Sequence, residues 1–133
     1  MGIDEKLHHQ RGLTLWERLG HPLDTLTVFV TLSYIVINDY TEQGQMIYIM
    51  LSIFSCLFIT KDEFIHTEVC SAFEHWLHAV LFILHPMIFL CAGILWKYRP
   101  QDEFLNYWAV LTGLFMMYQI FRWSIPWKVM LKK

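Results

Sequence analysis

Three runs of eighteen residues, 43–60, 79–96 and 104–121, contain no Asp, Glu, Lys or Arg. Each comes close to the ~20 consecutive apolar residues needed to cross a hydrocarbon core. A fourth stretch, residues 19–38, is as long and carries Asp24 as its only charge. The chain has 133 residues, enough for a single domain. A water-soluble four-helix bundle would need a polar stripe along every helix, and residues 46–54 have none. Helices apolar on all sides belong in lipid or in a large core, and a chain this short has no large core to offer. We therefore expect an all-α fold: an integral membrane bundle of four transmembrane helices at about residues 20–38, 45–60, 71–96 and 102–123. Residues 13–20 are expected as a short interfacial N-terminal helix, because Leu13, Trp16 and Leu19 accompany the capping-box pattern Thr14-x-x-Glu17. Residues 61–70 read as a second interfacial segment.

The basic residues give the expected orientation. With four spans, Lys6, Arg11, Arg18, Lys61, Arg122, Lys128, Lys132 and Lys133 fall on one side, and only Lys97 and Arg99 on the other. By the positive-inside rule both termini are then cytoplasmic. The N-terminus has no apolar stretch of the kind a secretory signal requires. The three cysteines, Cys56, Cys70 and Cys91, have no CxxC spacing, so neither a disulfide framework nor a thiolate zinc site is expected. The formal net charge is −2, and nothing in the sequence points to nucleic acid. The expected surroundings are the lipid bilayer, with a homodimer or another membrane protein compatible with so small a bundle.

Ionisable residues gather where the second and third spans meet. Asp62, Glu63, His66, Glu68, Glu74, His75 and His78 lie within seventeen positions. The expected topology adds His21 and Asp24 from the first span, and Tyr118, Gln119 and Arg122 from the fourth. Ionisable groups at the edge of hydrocarbon face a bundle interior, pair with one another, or hold a ligand. At ~100° per residue, Glu74, His78 and His85 fall within about 40° of one another on a helix, and His75 stands about 60° from His78. Glu63 and His66 have the Glu-x-x-His spacing that di-metal carboxylate bundles use, normally twice. Glu74-x-x-x-His78 offers an analogous second unit, and His21 and Asp24 a third contribution. The repeated HxxxH and HxxHH boxes of membrane desaturases and hydroxylases are missing.

Imidazoles with carboxylates suit Zn, or mono- or dinuclear Fe or Mn. The expected ligand set is His21, Asp24, Glu63, His66, Glu74, His75 and His78. Metal chemistry on a lipid-like substrate would need an open coordination position. Three other readings compete. One is a b-type haem with two axial histidines, drawn from His21 and either His78 or His85. Another is a proton or cation pathway, which polar residues support only as far as His85. The last is a charge-paired polar plug that stabilises the end of the bundle, with Arg122 as its cation. His85, followed by Pro86, also reads as a kink residue whose imidazole serves the freed backbone.

Overall fold

The apolar runs become helices. In a computed structural model, which describes residues 15–62 and 72–124, α1 covers Leu15–Ile37, α2 Glu42–Ile59, α3 Ala72–Tyr98 and α4 Glu103–Gln119. A 3-10 turn, Thr60–Asp62, extends α2, and a π-helical turn, Ile120–Ser124, extends α4. Among the described residues there is no strand. All four helices are long and apolar enough to cross a membrane. Between 17% and 22% of each span is buried within the fold, so the outward faces carry most of the apolar side chains. Ile37, Met50, Leu57, Ile83, Leu90, Val110 and Leu114 are among the many exposed ones. Water-soluble monomers rarely carry an apolar surface this extensive.

Helix ends follow local capping chemistry. Thr41 is the N-cap of α2, its hydroxyl accepting from the Gly44 amide at 2.9 Å, and Glu42 lies in the first turn. Gly44, one residue before the expected start of this helix, is therefore already helical. Asp102 caps α4 in the same way, accepting from the Phe104 amide at 2.9 Å. Between α3 and α4 the chain reverses through Gln101, which takes a positive φ of 66°. Its side-chain amide donates to Asp39 Oδ1 at 3.2 Å and so ties the two turns at this end together.

The N-terminal part differs from expectation. Over its described part, the segment expected as a separate interfacial helix is continuous with α1, which runs through Pro22 without interruption. The outward-facing Leu19, Leu23, Leu26 and Val30 keep helical spacing across the proline, so no change of face marks a boundary there.

Each helix buries a narrow stripe. On α1 it includes Thr31, Leu32 and Ile35; on α2, Tyr48 and Ser55; on α3, His78, Phe89, Ala92 and Trp96; on α4, Leu105, Ala109 and Gln119. These positions recur at helical spacings of three, four and seven, the pattern of helices packed side by side. Helix α1 is central, packing most extensively on α4 and then on α2, while α3 packs mainly on α2. Although a short turn joins them, α3 and α4 pack on each other less than any of these pairs.

Two glycines set close approaches. A Cβ on Gly113 would stand 2.9 Å from the Phe29 ring, and one on Gly93 would stand 2.8 Å from Tyr48 Cε1. The Tyr48 ring has little room to retreat, because its hydroxyl donates to the Phe89 carbonyl at 2.7 Å. We expect Gly93→Ala to lower the stability of the protein in detergent by about 1–3 kcal/mol, the usual cost of overpacking. Tyr48→Phe, by releasing the ring, should make the double variant less costly than the sum of the singles. Additive losses would show that the two side chains do not compete for this space.

Candidate functional site

The end of the bundle where α1 and α3 begin and α2 and α4 finish is polar. Asp24, one turn beyond His21, accepts from Lys61 Nζ across the α1–α2 interface. The two side chains are 14% and 18% exposed, so the pair is largely withdrawn from solvent. Lys61 also stands over the Phe58 ring, 4.2 Å from its centroid, a cation–π contact that orients the ammonium group. The 3-10 turn brings Lys61 inward by tightening the backbone directly after α2.

On the α1–α4 side, the Thr25 hydroxyl lies 3.0 Å from the His21 carbonyl and 2.6 Å from Gln119 Oε1. Gln119 is 5% exposed and is the last α-helical residue before the π turn, which then carries Arg122 to an exposed position.

The expected ligands are distributed as follows. His21 lies in α1 with its Nε2 shut off from solvent. His78 lies on the buried stripe of α3 at 8% exposure, with His75 half-buried one turn earlier. Asp24 is held by Lys61. Glu74 belongs to α3, but its side chain is not among those described. Glu63 and His66 lie outside the described residues, as do Glu68 and Cys70. Among the described residues, no group of three or more His, Cys, Asp and Glu comes together in a way that could hold a metal ion. His21, Asp24, His75 and His78 therefore do not form a metal centre by themselves.

A second polar feature leads inward from this end. The Thr27 hydroxyl donates to the Asp24 carbonyl at 2.7 Å and lies 2.7 Å from Ser55 Oγ, which lies 3.0 Å from His85 Nε2. Ser55 is fully buried. The chain joins α1, α2 and α3 in the middle of the fold. It also revises the reading of His85: Nε2 meets a hydroxyl of α2, and the ring packs edge-on against Phe89 with centroids 5.0 Å apart. Three members of these networks do not stand out in the sequence: Lys61, which reads only as a topology charge, and Thr27 and Ser55, which read as ordinary hydroxyl residues. The available signal is spacing. Asp24, Thr27 and Thr31 share one face of α1, and Ser52 and Ser55 share one face of α2.

The opposite end is aromatic. Trp96, 1% exposed, is surrounded by Tyr34, Tyr40 and Tyr48, and its indole donates to the Asn38 carbonyl at 2.8 Å. Comparisons with protein-family models, with curated proteins and with solved structures return no match.

Proposed function

We propose that the chain is an integral membrane four-helix bundle with both termini cytoplasmic, whose cytoplasmic end binds a divalent transition metal. Zn, or mono- or dinuclear Fe or Mn, fits the donor chemistry. The observation that carries this reading is the burial of His78 on the core-facing stripe of α3, at the same end as the shielded Nε2 of His21. A buried imidazole at a helix end, among other ionisable groups, is a common setting for a ligand. Because the described donors do not close a metal centre, the reading requires completion by Glu63, His66 and Glu74 beside His21, His75 and His78. Asp24 enters as a carboxylate already held by Lys61. The metal, once bound, would supply Lewis-acid or redox chemistry; the protein residues hold and orient it.

The Asp24–Lys61 pair favours a second reading, in which this end is a polar plug that fastens the helices and binds nothing. Its cation is then Lys61, where the sequence suggested Arg122. Metal analysis of the full chain, purified in detergent without a nickel column, separates the two. The metal reading expects about one or two atoms of one transition metal per chain, with most of that lost in His78→Ala and in Glu63→Ala. Less than about 0.2 atoms per chain, or content unchanged in both variants, would leave the plug as the function. A Soret band in the same preparation would instead point to haem with axial histidines.

A further inference from the structure

The hydroxyl chain that reaches His85 has a property that follows from counting protons. A carbonyl can only accept, so the single proton of Thr27 Oγ1 is committed to the Asp24 carbonyl. The 2.7 Å contact between Thr27 and Ser55 must then use the proton of Ser55. That leaves Ser55 Oγ as an acceptor toward His85, so Nε2 carries the proton in the 3.0 Å contact. The other ring nitrogen, Nδ1, keeps its lone pair. Among the described residues Nδ1 has no hydrogen-bond partner, and it is not sealed inside the fold. Histidine ligands and acceptors are commonly preset in this way, with one N–H fixed so that the other nitrogen presents its lone pair.

Position determines what can meet that lone pair. His85 stands ten residues into the span His75–Tyr98, about 15 Å from its polar end at ~1.5 Å per residue. The half-buried ring lies at the margin of the buried stripe, beside the exposed Leu81, Leu84 and Ile88. Charged groups are costly among apolar side chains at this depth. A donor carried by a membrane-soluble molecule avoids that cost. We propose that Thr27 and Ser55 are positioning residues that hold His85 as the Nε2–H tautomer, and that His85 Nδ1 accepts a hydrogen bond from the hydroxyl of a lipid-soluble phenol or quinol. This binding site is separate from the metal site proposed at the end of the bundle, and the two stand or fall independently.

The test is nitrogen NMR on histidine-labelled full-length protein in lipid nanodiscs, with His85→Asn identifying the His85 signals. The expected spectrum shows protonated Nε2 and unprotonated Nδ1, and an alkylphenol probe added to the bilayer shifts the Nδ1 resonance. Ser55→Ala and Thr27→Val should mix the tautomers and weaken the response to the probe about tenfold, the effect of one lost hydrogen bond. Thr27→Ser, which keeps the hydroxyl, should restore both signatures, a result that a packing role alone would not produce. A proton on Nδ1 in the parent protein, a tautomer unchanged by Ser55→Ala, or a probe that leaves His85 unmoved would each overturn the proposal. Metal content is expected to be the same in parent and Ser55→Ala, so failure here is distinguishable from failure of the metal reading.

Discussion

Lys61→Ala is expected to destabilise the protein by about 3 kcal/mol, the lower part of the range for removing one partner of a buried ion pair. The lower part applies because Lys61 and Asp24 keep 18% and 14% of their side-chain exposure. The loss does not measure the attraction between the charges. Once Lys61 is removed, the Asp24 carboxyl is left at the edge of an apolar interior without the cation that compensated it. Asp24→Ala strands Lys61 in the same way, with the Phe58 ring as a weak remaining contact. The double variant Asp24→Asn/Lys61→Met removes both charges and should recover most of the stability, since buried pairs replaced by neutral residues are often tolerated. Unfolding in mixed micelles, followed by circular dichroism, measures the parent and the three variants. If Lys61→Ala unfolds like the parent, the pair is only a surface contact and the plug reading loses its support.

Trp96→Ala is the second large effect, expected at about 3–5 kcal/mol, the range for truncating a large buried aromatic. Three tyrosines pack on the indole, with ring centroids 5.1 Å, 5.8 Å and 6.1 Å away, and Tyr40 in turn lies under Lys97. Truncation therefore leaves a void shared by α1, α2 and the turn between them. In a bilayer the cost comes from close packing, since lipid tails offer the same apolar surroundings as the protein interior. Trp96→Phe should cost only about 1 kcal/mol, because it keeps most of the ring and gives up the hydrogen bond to the Asn38 carbonyl. Equal losses in the two variants would mean that the hydrogen bond, and not the packing, anchors this end.

Much of the architecture can be read from the chain itself. The three uncharged runs and the stretch around Asp24 mark four helices, and the observed ends fall within a few residues of expectation except at the start of α1. That exception is local: the outward stripe of Leu19, Leu23, Leu26 and Val30 crosses Pro22 unchanged, so pattern alone offers no reason to break the helix or to join it. The polar end is legible as a concentration of His, Asp and Glu, and His78 does lie on a buried stripe. Of the expected ligands, Glu63, His66 and the side chain of Glu74 fall outside what the structure describes.

The pairings are not legible, for a physical reason. Helix formation and lipid compatibility depend on residues a few positions apart, so a linear reading recovers them. Asp24 with Lys61 joins residues 37 apart, Ser55 with His85 residues 30 apart, and Thr25 with Gln119 residues 94 apart. Which of these side chains meet depends on how each helix is rotated about its axis and how deep it sits beside its neighbours. A rotation of one residue, about 100°, would move Ser55 from the core to the outer face of the bundle. Close packing around Gly93, Gly113 and Trp96 selects that rotation. The sequence by itself therefore determined four apolar helices with one polar end; only the tertiary structure decided that Lys61 holds Asp24 and that a line of hydroxyls, Thr27 then the buried Ser55, reaches His85.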